Sequence, residues 1–126
     1  MTQDSKVDER RSSMHAAAPR PGLAVIGTGM MGREHIRAVL QLGQATIVGL
    51  FDSEPSSIAL ALREFSTVDT TAPRIYDELD ELISDATVDA ILICTPNFTH
   101  RHVFDTIKAS GKAIFLEKPM ATTLDD

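Results

Sequence analysis

Apolar residues recur along this chain in two rhythms. From Gly22 onward, short apolar runs alternate with stretches in which apolar side chains return at helical spacing. Residues 23–26 read as a first strand, and residues 31–41 as a helix with Ile36, Val39 and Leu40 on one face. Residues 46–51 read as a second strand. A helix over 56–65 follows, carrying Ile58, Ala61, Leu62 and Phe65 at i, i+3, i+4 and i+7. A short strand near 74–76 precedes a helix that Asp77 is expected to cap, with Leu79, Leu82 and Ile83 on its inner face. Residues 90–94 are continuously apolar, as in a strand buried on both faces. A helix over 101–110 is expected to stop at Gly111. Residues 113–116 form a fifth strand, and Thr123 has the position of another helix cap.

Strands that alternate with helices pair in parallel through helical crossovers. The pattern predicts an α/β, Rossmann-type doubly wound parallel sheet with strand order 3-2-1-4-5. Ligands of such sheets bind beyond the carboxyl ends of the strands, where the order turns round between strands one and four. The four unusual loops of the sequence all leave strands on that edge. They are Gly27–Gly32, Asp52, the segment from Thr95 to His100, and Glu117-Lys118-Pro119. The domain is expected over 22–126. Residues 1–21 are polar, with interspersed charges and a closing Ala16-Ala-Ala-Pro-Arg-Pro21, and read as a disordered extension.

The first loop carries the most specific chemistry. An apolar strand runs directly into G-x-G-x-x-G, with Gly27, Gly29 and Gly32 as the glycines and Thr28, Met30 and Met31 between them. Gly27 suits the tight turn, Gly29 lets a pyrophosphate approach the backbone, and Gly32 lets the helix pack close to the sheet. The helix N-terminus then offers N–H groups and partial positive charge to the phosphates. Asp52 ends the second strand, 20 residues after Gly32. A carboxylate there accepts hydrogen bonds from the adenosine ribose hydroxyls and repels a 2′-phosphate, so the expected cofactor is NAD. An NADP site would instead show Arg or Lys after the strand, where this chain has Ser53, Glu54, Pro55, Ser56 and Ser57. Asp52 also suits the start of a simple turn at a strand end.

Composition narrows the function classes. Hydrophobic residues make up 43% and the net charge is −6, with no basic stripe and only five Phe, one Tyr and no Trp, which argues against nucleic acid as a partner. No apolar stretch is long enough for a membrane span. Arg10-Arg11 lacks the apolar segment that a twin-arginine export signal needs, so a cytoplasmic location is expected. The single cysteine, Cys94, fits a reducing compartment and lies within an apolar strand, where a small buried hydrophobe is expected. No cluster of Cys, His and acids has ligand spacing, so no metal is expected.

At the ends of strands four and five the residues alone leave alternatives open. Thr95 and Asn97 can hydrogen-bond a ribose or a carboxamide, while Pro96 fixes the backbone where the sheet ends. Asn97 equally suits the cap of the next helix. His100 and His102 begin that helix, His102 reading as an exposed helix residue. Lys118 can hydrogen-bond a substrate hydroxyl beside a nicotinamide, yet Glu117 and Lys118 also read as a solvated charged pair. The isomer of the Lys118–Pro119 bond is not readable from sequence.

Three stretches decide between these readings. Val25-Ile-Gly-Thr-Gly-Met-Met-Gly-Arg-Glu-His35, Val88-Asp-Ala-Ile-Leu-Ile-Cys-Thr-Pro-Asn-Phe-Thr-His100 and Phe115-Leu-Glu-Lys-Pro119 resemble the Gfo/Idh/MocA oxidoreductases, the family of glucose–fructose oxidoreductase and inositol dehydrogenases. They fall in the family's order and spacing over 23–126. The resemblance implies a pyridine-nucleotide enzyme that oxidises a secondary alcohol of a sugar, cyclitol or related compound. It implies that Lys118 is the active-site lysine and that Glu117 holds it. It places Thr95, Pro96, Asn97 and His100 along the cofactor near its ribose and nicotinamide, and gives His35 a family position that packing alone would also explain. The family also has a second α/β domain that supplies the substrate pocket and a general-base histidine, and often the oligomer interface. The chain is therefore expected to be an N-terminal fragment, inactive alone, with strand five left as an edge and with marginal stability or self-association. A non-catalytic dinucleotide-binding or sensing module is the alternative. A methyltransferase ranks last, because Glu117-Lys118-Pro119 has no role in that chemistry.

Overall fold

The computed structural model of the chain describes residues 19–66 and 71–117. The expectations for the N-terminal extension, for Lys118 and Pro119 and for a cap at Thr123 therefore lie largely or wholly outside the described residues. Within them, β1 (Gly22–Ile26), β2 (Thr46–Phe51), β3 (Arg74–Ile75), β4 (Ala90–Ile93) and β5 (Ala113–Leu116) form one five-stranded sheet. Its order is β3-β2-β1-β4-β5, and every pairing is parallel. This is the order the alternating pattern predicts. Helices α1 (Met30–Leu42), α2 (Pro55–Phe65), α3 (Leu79–Ser84) and α4 (His100–Ile107) connect the strands.

Side-chain alternation along the central strands divides the core in two. Ala24 and Ile26 of β1 and Ile91 and Ile93 of β4 point to one face, where Leu82, Val103 and Ile107 of α3 and α4 cover them. Val25 points to the other face and joins Leu50 of β2, Ile36 of α1 and Ala61 and Phe65 of α2. A strand buried on both faces needs apolar side chains at successive positions, which is why β1 and β4 read as unbroken apolar runs.

The structure corrects three local expectations. The cap of α3 falls at Glu78 rather than Asp77, and no side chain there bonds the helix N-terminus. β4 ends at Ile93, one residue early; the Cys94 amide still donates to the Ile26 carbonyl at 2.7 Å, and the bend into the next loop begins at Thr95. The last helix is broken into a 3₁₀ turn at Asn97–Thr99, α4, and a second 3₁₀ turn at Lys108–Ser110. It stops at Gly111 with φ of 76°, the left-handed value that glycine adopts without strain.

On the β3 side, Asp85 organises the α3–β4 connection. Its carboxylate accepts hydrogen bonds from the Tyr76 hydroxyl at 2.7 Å, the Thr87 amide at 2.9 Å and the Thr87 hydroxyl at 2.6 Å. The Thr87 hydroxyl, then Tyr76, hold the Asp85 carboxyl down at about 2, from an ordinary 3.8. A depressed folded-state pKa means stabilisation that is complete above the unfolded value and is lost as pH falls through the folded one. Asp85→Asn should therefore cost about 1–3 kcal/mol at neutral pH in urea unfolding. The gap to the parent should close as pH drops from about 4 to about 2. A gap independent of pH would contradict this role.

Candidate dinucleotide site

The glycine loop is built by two close approaches. Gly27 has φ of 93°, and its amide donates to the Phe51 carbonyl at 2.8 Å. A Cβ on Gly27 would meet the Cys94 carbonyl carbon at 2.6 Å, so β1 turns out of the sheet directly against the end of β4. A Cβ on Gly32 would lie 2.0 Å from the Gly27 carbonyl oxygen, which only a bare backbone permits. That contact seats the first turn of α1 on the strand end. Gly29 sits at the N-cap with nothing within 4 Å of a Cβ position, on open space. No side chain caps α1, and its first turn holds no acid. An uncapped N-terminus of a 13-residue helix therefore faces a cleft, with the polarity that anions prefer.

Asp52 fastens this loop to β2. Its Oδ2 accepts hydrogen bonds from the Thr28 amide at 2.8 Å and the Thr28 hydroxyl at 3.1 Å, and its Oδ1 accepts one from the Glu54 amide at 2.8 Å. The bond to Glu54 is the strand-end turn that the sequence allowed. The bonds to Thr28 are a second function of the same carboxylate. Thr28 is fully buried, so its side chain braces the loop from within and does not line the cleft. Ionised carboxylate oxygens accept more than one hydrogen bond each, and Asp52 still lines the cleft.

The opposite wall comes from β4 and β5. Thr95 and Pro96 line it. The Thr95 hydroxyl oxygen is buried and has no hydrogen-bond partner among the described residues. A buried hydroxyl left unpaired is costly, so this one is a place for a ligand group. His100, expected beside the cofactor, is fully buried beneath this wall, its Nε2 2.9 Å from the Thr95 carbonyl oxygen. The N-cap of α4 falls at Thr99 rather than Asn97, because the 3₁₀ turn intervenes, and the Asn97 side chain lies outside the described set. His102, expected only as an exposed helix residue, lines the cleft.

Glu117 lines the cleft at the end of β5. Its amide donates to the Ile93 carbonyl at 3.0 Å, and its carboxylate lies 2.6 Å from His35 Nε2, 82 residues away in sequence. Chain spacing shows no metal-type cluster, but the fold brings one donor atom each of His35, Cys94 and Glu117 within 4.8 Å of one another. Burial, and then the neighbouring Glu117 carboxylate, push the Cys94 thiol up to about 12.

The cleft between these walls measures about 990 Å³. Sequence reasoning missed part of its lining. Ser53 and Ser57 lie near Asp52 but carry no spacing signal. Phe98 projects from the 3₁₀ turn with 77% of its surface exposed, and an exposed aromatic in a polar loop was the available clue.

Fold and cleft together define a dinucleotide-binding Rossmann domain, with glycine loop, strand-two carboxylate and switch-point crevice in one place. Residues 22–126 match the model of the GFO_IDH_MocA oxidoreductase family, described as an NAD-binding Rossmann fold, and the chain belongs to that family. It is 38% identical over 104 residues to an inositol 2-dehydrogenase of Paracoccus denitrificans, covering 82% of this chain and 30% of the relative. It is 38% identical over 106 residues to inositol 2-dehydrogenase 3 of Saccharopolyspora erythraea, covering 82% and 29%. Among solved structures, myo-inositol dehydrogenase from Lactobacillus casei, in complex with NAD(H) and myo-inositol, superposes with a TM-score of 0.76 at 30% identity, covering 85% of this chain and 31% of that one. The chain thus spans about 30% of the length of the curated relatives it matches. Among the described residues no helix is long and apolar enough to cross a membrane.

The raised Cys94 pKa has a direct chemical consequence. Only the thiolate is nucleophilic, so the folded chain should react with iodoacetamide at pH 8 roughly 100-fold or more slowly than an unstructured cysteine. Unfolding in guanidinium should restore the ordinary rate. Cys94 is half-buried and lines the cleft, short of the fully buried position expected, so rapid alkylation of the folded chain would contradict the raised pKa itself.

Proposed function

We propose that residues 22–126 are the cofactor-binding domain of an NAD-dependent oxidoreductase that moves a hydride between nicotinamide and a secondary alcohol of a cyclitol, sugar or related polyol. The observation that carries the reading is the Asp52 carboxylate, held on the glycine loop at one end of the cleft. In that position it faces the adenosine ribose and disfavours a 2′-phosphate. The uncapped start of α1 would receive the pyrophosphate, and the unpaired Thr95 hydroxyl would bond the nicotinamide half. Bound there, the dinucleotide supplies a two-electron hydride acceptor. Lys118 would stand beside it and orient the reacting hydroxyl. The polyol class draws its support from the relatives, which are inositol dehydrogenases by name. The lone free cysteine agrees with a reducing, cytoplasmic setting.

Calorimetric titration with NAD and NADP tests the cofactor assignment. The parent chain should favour NAD, and Asp52→Ala should weaken NAD roughly tenfold while sparing NADP. An unchanged NAD-to-NADP ratio would remove Asp52 from the ribose site. The catalytic assignment is tested on the natural enzyme, by NADH formation with myo-inositol. Lys118→Ala should lower kcat by about two orders of magnitude with little change in NAD affinity. A variant with parental kcat would exclude the lysine from the reaction.

A further inference from the structure

The sequence left His35 as a residue that packing alone would explain. Its observed partner suggests otherwise. His35 lies on α1, the helix whose first turn is seated on the Gly27 carbonyl by the missing side chain of Gly32. Glu117 lies at the end of β5, its amide fixed to the Ile93 carbonyl at 3.0 Å. Both backbones are therefore anchored to the sheet before their side chains meet. Between them the Nε2–Oε2 distance is 2.6 Å, with the side chains 37% and 22% exposed. Glu117 lines both the cleft and an apolar groove on the α1 side, whereas His35 lines only the groove. His35 is not part of the cleft lining and is joined to it through the Glu117 carboxylate.

We propose that His35 is a positioning residue for the nicotinamide end of the site: by holding the Glu117 carboxylate, it couples the phosphate-binding helix to the strand end that leads directly into Lys118. The inference rests on the dinucleotide reading of the cleft and extends it. A carboxylate side chain at a strand end has several staggered rotamers, only some of which keep it on the cleft wall. The imidazole fixes its direction, and a short charge-assisted hydrogen bond is directional enough to do so. The helix that receives the pyrophosphate then also sets the wall that receives the nicotinamide. Cys94 fits beside this strut: a Cβ on Gly32 would lie 3.6 Å from the Cys94 Cβ, and the thiol is within 4.8 Å of both partners.

The test separates the two halves of the cofactor. NADH reports on the whole site, and ADP-ribose only on the adenosine and pyrophosphate end. His35→Phe keeps bulk and removes the hydrogen bond, and His35→Gln places an amide nitrogen near the original Nε2. His35→Phe should weaken NADH roughly tenfold and shift the fluorescence of the bound nicotinamide, while ADP-ribose affinity stays at the parental value. His35→Gln should recover most of the NADH affinity. If His35→Phe weakens both probes equally, or if Gln fails to rescue, the histidine only supports the fold and the proposal falls. Parental NADH binding by His35→Phe would likewise overturn it. If the natural parent protein, in which all three forms are compared, binds neither probe, the dinucleotide reading itself is overturned, and this inference with it.

Discussion

The approach of α1 to the end of β1 is the contact on which the rest of the site depends. A Cβ at Gly32 would stand 2.0 Å from the Gly27 carbonyl oxygen, so no other residue permits the helix to begin where it does. Moving the helix outward by even the width of a methyl group would shift its N-terminus away from the cleft. It would also part Ile36 from Val25 and Leu50 in the core beneath. Core packing and ligand geometry are thereby made the same requirement. The helix cannot bury its apolar face without also presenting its unsatisfied amides to the crevice.

From that contact the cleft acquires two unlike ends. At the β2 end, the polar groups are bonded to one another: Asp52 is satisfied by Thr28 and Glu54. Such a wall is rigid before any ligand arrives, which reduces the entropy lost on binding. At the β4 and β5 end, the Thr95 hydroxyl has no partner among the described residues, and Glu117 is held by a side chain from a different layer of the fold. On the proposed reading, discrimination between cofactors would belong to the first end, where the acceptors are fixed. Chemistry would belong to the second, where the Thr95 hydroxyl is unpaired among the described residues.

The sequence made the strands and their order legible because burial on both faces leaves an unbroken apolar run, as in β1 and β4, that few other structures require. The glycine loop was legible for a related reason: Gly27 and Gly32 answer to steric limits that exclude every side chain. Local endings were less so. Asp77 has good capping chemistry, but the helix begins after Glu78, because a short helix can shift its start by a residue at little cost. His100 shows the larger difficulty. Its place in the chain suggests a neighbour of the cofactor, but nothing local says that the fold buries it with its Nε2 at the Thr95 carbonyl. The pairing of His35 with Glu117 had no local signal at all, since the two are joined only by the fold.

Position in sequence therefore identifies which residues can reach the crevice, and hydrogen-bond accounting identifies what each does there. Asp52 and Glu117 illustrate the distinction. Both are acids at the carboxyl end of a strand, and both line the same cleft. Asp52 is fixed chiefly by backbone amides and by the neighbouring glycine loop, so its direction is set by the main chain. Glu117 is fixed by an imidazole on a helix across the sheet, so its direction depends on a side chain that substitution can remove. The adenosine end should consequently tolerate many changes in the helices around it. On the proposed reading, the nicotinamide end should be the more sensitive to a residue outside the cleft lining, because there a side-chain contact from His35 helps to set the geometry of the wall.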